Sequence, residues 1–574
     1  MVAPDQSPPL AQKHEVDAYA ARVEDAGDTG HSDSIHSDTP LSPPKLTPRR
    51  FMACTAMAFA WTSGQMPPYL WGAIPPIIYG DIGGTDRWVW FITANLICLA
   101  AICPFVGALS DILGRRYVVI MGSLFIIVGQ IVCTTAHTMN VFICGMALSG
   151  VGAGINELTA IAGTAELAPT SQRGIYVAAL IMTILPWCPS VLWAQLIAAN
   201  SGWRYVGVMI IVYTAVGLLV AVFFYFPPPR SVTSTLSRKE VVQRIDFVGG
   251  LTSVAGITLV VAAILWGGYT YSWKSVHVIA PLLIGVFTFA AFVCWEIWSA
   301  KYPMIPKNFG KAPRTLSILL LISFISGANF FSVLMLWPTQ AFNVYGHDPV
   351  AVGLRGLPFG LGVMLGCVIT LGLMSRLRGR GIRWLLTVAS CVMTAGCGAL
   401  AAADLDNEKI VYPILLIAGL GVGGIVVPTS VITTIITPDE IIATMTSLTL
   451  SIRVIGGAIG YAIYYNILVQ KLTPLLIARV SGAMVASGVT DADTIEAAIG
   501  LTASSLIKPI LALPGIDGNV TKWDAVVIAG QSAYADAYQW VYYCSIAFGG
   551  VSVLASLFVE DIAQFMDDHI AVII

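Results

Sequence analysis

Apolar stretches long enough to cross a lipid bilayer recur along most of the chain. A helix needs about 20 apolar residues to cross roughly 30 Å of hydrocarbon. We place about fourteen such spans, the first of them broken by Pro67 and Pro68, at residues 51–79, 88–109, 117–136, 141–166, 175–198, 203–226, 246–268, 277–298, 315–338, 352–375, 382–402, 411–436, 443–468 and 538–559. Because backbone in lipid must satisfy its own hydrogen bonds, the pattern predicts an all-α membrane protein.

The low charge content also indicates a lipid environment. Of the 574 residues, 56% are hydrophobic and 11% are charged, whereas a soluble domain carries about 25% charged residues. The net charge of −2 offers no basic face for nucleic acid. The 11 cysteines lie mostly inside apolar runs and lack CxxC pairs, which favours packing over disulfides or metal binding. We therefore predict no metal site and no cofactor.

Both ends of the chain are predicted to be tails. Residues 1–50 are polar and lack the apolar core of a signal peptide, so we interpret them as a disordered tail. His31 and His36 fit solvated tail residues better than a metal site. Residues 560–574 form the C-terminal tail.

The placement of Lys and Arg predicts the orientation. If the N-terminus is cytoplasmic, the inner connections hold most of the basic residues, among them Arg115, Arg116, Arg173, Arg230, Arg238, Lys239, Arg244, Lys301, Lys307, Lys311, Arg314, Arg376, Arg378, Arg380 and Arg383. The short outer loops hold almost none: Arg87, Arg204, Lys274, Arg355 and Lys409. Fourteen spans then return the C-terminus to the cytoplasm.

The long segment 470–537 becomes extracellular in this topology. It carries the only Asn-x-Ser/Thr sequon of the chain, at Asn519, which is therefore a candidate glycosylation site. Its short amphipathic stretches are expected to lie on the membrane surface.

An internal repeat divides the spans into two groups. The loop after span 2 begins at Gly107 and reads GALSDILGRR, and the loop after span 10 begins at Gly372 and reads GLMSRLRGRG. A second pair of matching segments, GVGAG at Gly150 and GLGVG at Gly419, lies a similar distance apart. Parallel halves with the substrate site between them are typical of secondary transporters. We predict six-helix bundles at 51–226 and 314–559, with two extra helices in a linker at 227–313.

In these segments the chain resembles the major facilitator superfamily. The GALSDILGRR segment is similar to the signature loop of that superfamily, and it predicts a cytoplasmic gate in which glycines allow a tight turn and charges form a breakable cluster. The predicted gating residues are Gly107, Asp111, Gly114, Arg115, Arg116, Glu166 and Arg173. A plain positive-inside anchor is the alternative interpretation.

More narrowly, the chain resembles fungal fourteen-span efflux pumps of the trichothecene type. The segments that carry this resemblance include PPYLWGAIPPIIYGDIGG, GVGAGINELTAIAGTAELAP and RIDFVGG. The resemblance implies proton-driven export of a small, largely apolar secondary metabolite, mycotoxin or drug; siderophore–iron import is the alternative in related proteins. Two antiporter motifs are altered: Met146 stands where an arginine is common, and ILPWCPSVLW lacks the usual glycines.

No GxxxxGK[ST] loop, HExxH or GxSxG motif occurs in the sequence, so we expect neither ATP-driven transport nor an enzyme. An ion gradient remains as the energy source. The expected partners are a small-molecule substrate, protons and the lipid bilayer. We expect a monomer in the cell membrane, with a vacuolar or vesicle membrane as the alternative.

Two charges are predicted to lie deep in the membrane, where charges are costly. Glu157 lies roughly 14 Å into span 4 and Arg453 roughly 15 Å into span 13, at 1.5 Å per residue. We predict that Glu157 binds the coupling proton and that Arg453 tunes its pKa or a substrate group. A structural pairing with backbone or with each other is the alternative interpretation.

The fold that the resemblance implies lines its central cavity with spans 1, 4, 9 and 12. The remaining candidate proton and substrate residues on these spans are Gln65, Tyr69, Asn156, Asn329, Trp337 and Gln340. Aromatic walls with a few polar groups suit an apolar ligand that bears oxygens. Trp337 also fits an interface anchor.

Overall fold

The chain is described here from a computed structural model, which covers residues 48–167, 173–227, 246–267, 270–301, 312–377, 381–437 and 442–561. The predicted N-terminal tail up to residue 47, the first part of the predicted linker at 228–245, and the tail beyond 561 lie outside the described residues. Within the described ranges the regular secondary structure is helical, and the predicted all-α fold is confirmed.

Seventeen α-helices carry the fold in the described ranges. They are α1 (Pro48–Trp71), α2 (Pro75–Ile82), α3 (Val89–Leu113), α4 (Arg115–Thr134), α5 (Met139–Leu167), α6 (Arg173–Met182), α7 (Ser190–Asn200), α8 (Arg204–Phe224), α9 (Phe247–Trp266), α10 (Val276–Cys294), α11 (Pro313–Tyr345), α12 (Pro349–Arg376), α13 (Gly381–Ala399), α14 (Glu408–Ile435), α15 (Ile442–Ala486), α16 (Ala492–Ala503) and α17 (Val520–Ser556). Short 3₁₀ turns at Leu185–Trp187, Leu400–Ala402 and Pro509–Ala512 connect some of them.

Twelve helical segments of the described chain are long and apolar enough to cross a membrane. The predicted first and last spans fall on α1 and α17, which are not among the twelve, so the count of fourteen is not confirmed. Both helices nevertheless pack into the bundle, α1 on α5 and α8, and α17 on α13 and α15. Helix α1 buries Thr62, Ser63 and Gln65, and such polar residues lower the mean hydropathy of a helix that faces protein instead of lipid.

The predicted break at Pro67 and Pro68 is wrong. Helix α1 runs through both prolines to Trp71, and the Pro68 carbonyl accepts from Gly72 N at 2.9 Å. The chain breaks a few residues later, before Pro75 and Pro76. Neither residue has an N–H to continue the helix, whereas both fit the first turn of α2.

The internal repeat recurs in the packing of α5 and α14. A Cβ added at Gly150 would lie 2.3 Å from the Asn95 carbonyl of α3, and one added at Gly419 would lie 2.4 Å from the Phe359 carbonyl of α12. One turn further on, the last glycines of the two segments, Gly154 and Gly423, contact the next carbonyls of the same helices, those of Leu99 in α3 and Val363 in α12. The middle glycines, Gly152 and Gly421, face α4 and α13. The two GxGxG segments therefore bring equivalent helices together in the same way.

This close packing predicts a stability effect. At Gly423, the last glycine of the second segment, an added Cβ would lie 2.0 Å from the Val363 carbonyl. Because the obstacle is backbone, we expect Gly423→Ala to destabilise the protein by about 1–3 kcal/mol. The matched control is Gly550→Ala in α17, where an added Cβ meets nothing within 4 Å. Thermal melting of the two detergent-solubilised variants compares them, and equal melting temperatures would contradict the packing described.

Helices α1–α8 (the N-terminal group) and α11–α17 (the C-terminal group) meet mainly along two pairs of helices, α3 with α15 and α7 with α12. Ser447 and Ser451 of α15 donate to the Cys103 and Ala100 carbonyls of α3 at 2.6 Å and 3.2 Å. The extra helices α9 and α10 pack on each other, and α9 also contacts α3 and α15. The proposed bundle boundaries at 226 and 314 stay a prediction.

The segment predicted to be a long loop is largely helical. Helix α15 continues to Ala486 instead of ending at 468, and α17 begins at Val520 instead of 538. Hydropathy marks where apolar residues end, but alanine, leucine and arginine continue a helix into water equally well. The amphipathic stretch expected on the membrane surface forms α16, which packs on α15.

Candidate functional site

Opposite charges from α5 and α15 meet inside the protein. Arg453 Nη2 lies 3.2 Å from Glu157 Oε1, with side-chain exposures of 10% and 4%. One residue belongs to the N-terminal group and the other to the C-terminal group, so the ion pair bridges the two. A buried ion pair costs desolvation energy and is rarely retained for stability alone.

Close helix packing sets the position of Arg453. A Cβ added at Gly327 of α11 would lie 1.9 Å from the Arg453 carbonyl, so only glycine allows α15 to approach α11 this closely. The guanidinium then reaches α14, where Nη1 donates to the Val426 carbonyl at 3.1 Å and to Ser430 Oγ at 3.4 Å. These neutral acceptors hold Arg453 independently of Glu157.

Helix α1 places two further side chains beside the ion pair. The Gln65 side chain lies within electrostatic range of Glu157. Tyr69, one turn further along the same face, lies within electrostatic range of both Glu157 and Arg453. Its ring meets Phe330 of α11 edge-on, with the centroids 6.4 Å apart. The structure thus brings Gln65, Tyr69, Glu157 and Arg453 into one site.

Asn156 is adjacent to Glu157 in sequence but bonds within the N-terminal group. Its Nδ2 donates to Ser63 Oγ of α1 at 3.3 Å and to Ser123 Oγ of α4 at 3.1 Å. Asn156 therefore ties three helices together behind the ion pair.

The three candidates of α11 lie apart from the ion pair. Tyr464 donates to Asn329 Oδ1 at 2.6 Å, and Tyr542 donates to Gln340 Oε1. Trp337 is buried, and its Nε1 donates to the Arg355 carbonyl of α12 at 2.9 Å. The structure does not place these side chains beside Glu157; they join α11 to α15, α17 and α12.

Known proteins resemble this chain over most of its length. Residues 70–574 match the family described as fungal trichothecene efflux pump (TRI12). The chain belongs to this family. The trichothecene efflux pump of Fusarium sporotrichioides is 25% identical, over 86% of this chain and 83% of its own length. An MFS-type efflux transporter of Aspergillus flavipes is 27% identical, over 81% and 78%.

Solved structures agree on the fold. The human organic anion transporter MFSD10 matches with a TM-score of 0.52 and 13% identity, covering 88% of this chain and 100% of that chain. A bacterial homologue of the lysosomal transporter Spinster matches with a TM-score of 0.51 and 14% identity, over 89% and 97%. These likenesses show the fold alone; the family match shows a membrane transporter of the major facilitator superfamily, which is not an enzyme.

The signature loop of this efflux family member is described only in part. Gly114 has a φ of 82° between α3 and α4, a conformation that favours glycine. Arg116 Nη2 donates to the Val222 carbonyl at 2.6 Å, and its guanidinium lies 3.9 Å from the centre of the Phe226 ring. Arg115 is buried and Gly107 lies in α3. The side chains of Asp111, Glu166 and Arg173 lie outside the described part of the chain, so the gating cluster stays a prediction.

Sequence reasoning missed several neighbours of the ion pair. Ser430 and the Val426 carbonyl hold Arg453, and Cys103 lies within electrostatic range of both charges. A hydroxyl or thiol inside an apolar run has no distinctive sequence pattern. Only its distance from Arg453 in the folded protein identifies it as a neighbour of the ion pair.

The sequon residue Asn519 lies exposed at the start of α17. Its Oδ1 accepts from Thr521 N at 3.0 Å and from Lys522 N at 3.3 Å, the geometry of a helix N-cap. This bonding leaves the amide nitrogen available, and glycosylation there stays a prediction.

Proposed function

We propose that this member of the efflux family is a proton-driven exporter of small, largely apolar organic molecules, such as a secondary metabolite, mycotoxin or drug. The observation that carries the proposal is the buried Glu157–Arg453 ion pair between the two groups of helices. A carboxylate near the middle of the membrane can take up and release a proton, and an exchange of partners there can couple the proton to helix movement.

The coupling follows from the bonds of Arg453. When Glu157 binds a proton, it loses the charge that attracts Arg453, while Val426 and Ser430 still hold the guanidinium. The link between α5 and α15 weakens, and the two groups of helices separate more easily. When the carboxyl releases its proton to water on the cytoplasmic side, the pair can form again. One proton then moves inward as the substrate moves outward.

The surroundings of the pair support an apolar substrate. Tyr69 and Phe330 provide aromatic surface, and Gln65 provides an amide that can bind an oxygen of the ligand. The efflux activity in the names of the relatives supports export over the alternative of siderophore import. We further propose a monomer in the cell membrane, with both termini cytoplasmic.

Accumulation assays test this function. The chain is expressed in yeast cells that lack their own major efflux pumps, and the cells are loaded with a panel of fluorescent apolar compounds. We expect at least one compound to accumulate less than in cells with empty vector, and a proton uncoupler to abolish the difference. Export that persists with the uncoupler, or increased uptake of a ferric siderophore in place of export, would refute the proposal.

A further inference from the structure

The segment between the last two predicted spans forms a folded unit, which we call the outer cap (residues 470–537). Helix α15 has 45 residues and is therefore about 68 Å long, more than twice the roughly 30 Å of hydrocarbon in a bilayer. Helix α17 has 37 residues and packs against α15. By the predicted orientation, the cap stands on the extracellular side.

Side-chain bonds and apolar packing make the outer cap a defined structure. Tyr534 of α17 donates to the Ala503 carbonyl of α16 at 2.9 Å, and Trp523 donates to the Ile507 carbonyl at 2.8 Å. Arg479 of α15 pairs with Asp536 of α17. Ile510 is completely buried. Because of these bonds, a movement of α15 or α17 also moves the outermost residues of the cap.

Leu506 of the outer cap reaches across to the N-terminal group. A Cβ added at Gly80 of α2 would lie 3.4 Å from Leu506 Cδ2 of the cap. Helix α2 is itself fixed to the N-terminal group, because Asp81 accepts from Arg204 Nη1 at 2.7 Å and from Trp203 Nε1 at 3.0 Å. Contact between Leu506 and Gly80 therefore joins the two groups.

Two deeper contacts join the groups on the same side of the protein. Tyr465 of α15 meets Trp88 edge-on, with the centroids 5.5 Å apart. Met335 of α11 packs against Gly72, where an added Cβ would lie 2.5 Å from its sulfur. These contacts and the Leu506 contact form successive layers from the bundle towards the cap.

The outer cap also lies close to the loop between α11 and α12. Burial, and then the charge of Lys508 in the cap, lower the pKa of His347 in this loop to about 4. The ring of His347 stacks on Phe342 with the centroids 3.7 Å apart. The cap thus lies near both groups of helices around the outer end of α11.

We propose that the outer cap is the outermost layer of the extracellular gate, closed by Leu506 against Gly80 and opened when the two groups of helices separate. This inference rests on the proposed transport function. The contact suits a gate because it is apolar and small: one leucine side chain against a glycine buries little area and separates without breaking a charge pair or a hydrogen bond.

A reversible cross-link tests the gate. Gly80 is exposed, and an added Cβ meets Leu506 at an ordinary contact distance, so the double variant Gly80→Cys/Leu506→Cys should fold. We expect oxidation to join the two cysteines and to stop export, and a reducing agent to restore it. A long flexible bis-maleimide should join the same cysteines and leave export largely intact, because it allows the gate to open.

The matched control joins two residues within the cap. Gly530 and Thr502 are in contact, and both belong to the C-terminal group, so oxidised Thr502→Cys/Gly530→Cys should export normally. The single-cysteine variants control for the native free thiols. Normal export by the oxidised Gly80/Leu506 pair, or a failure of both the oxidant and the bis-maleimide to join the two cysteines, would overturn the gate. If the unmodified protein showed no uncoupler-sensitive export, the proposed function itself would be refuted.

Discussion

Replacing Glu157 by glutamine is expected to reduce uncoupler-sensitive export to the background of cells without the protein. Glutamine has nearly the same shape, and its amide oxygen can still accept from Arg453. It cannot bind and release a proton, so the link between α5 and α15 no longer responds to the gradient. Drug accumulation with and without uncoupler measures the loss, and size-exclusion chromatography in detergent confirms that the variant is folded.

The matched control for this substitution is Glu496→Gln, since Glu496 is an exposed carboxylate on α16. We expect Glu496→Gln to export like the unmodified protein. If Glu157→Gln exported at the same rate and kept its sensitivity to the uncoupler, another group would have to carry the proton.

Replacing Arg453 by methionine is expected to have the largest effect on folding. The substitution leaves Glu157 as a buried carboxylate without its counter-charge, which costs about 3–5 kcal/mol. In the double variant Glu157→Gln/Arg453→Met both charges are gone, so we expect most of the stability to return while export stays absent. Thermal melting in detergent and the yield of monodisperse protein measure the difference between the single and double variants.

Arg479→Met is the control for losing an arginine from an ion pair. The pair of Arg479 with Asp536 is about one-third exposed on each side, at 35% and 40%, and a pair of this kind contributes about 0–1 kcal/mol. Equal melting temperatures for Arg453→Met and Arg479→Met would contradict the account of a buried charge pair that bridges the two groups.

Much of the fold could be predicted because local sequence determines it. Apolar runs mark the spans, and the GxGxG segments mark where helices approach closely; Gly150 and Gly419 make equivalent contacts in the structure. The deep positions of Glu157 and Arg453 follow from counting residues along each helix. Pairing between them was one of the interpretations that the sequence allowed, but the sequence could not decide it, because the contact depends on how distant helices pack.

The errors have physical causes as well. Proline usually ends a helix, but in α1 the chain continues past Pro67 and Pro68 and breaks where Pro75 and Pro76 remove two successive donors. The cavity-lining role of Asn329, which rested on its place in span 9, stays a prediction; the sequence could not identify its partner, which is Tyr464 inside the C-terminal group. Hydropathy also cannot detect a helix that continues into water, so the outer cap was expected to be a loop.

Proton movement during transport tests the central claim most directly. The protein is reconstituted in liposomes that contain a pH-sensitive dye, and an exported compound from the accumulation assay is added on one side. We predict that substrate flux through the unmodified protein drives protons in the opposite direction, and that Glu157→Gln liposomes show no proton movement. Substrate-driven proton flux of normal size through Glu157→Gln would contradict the role of the ion pair in coupling.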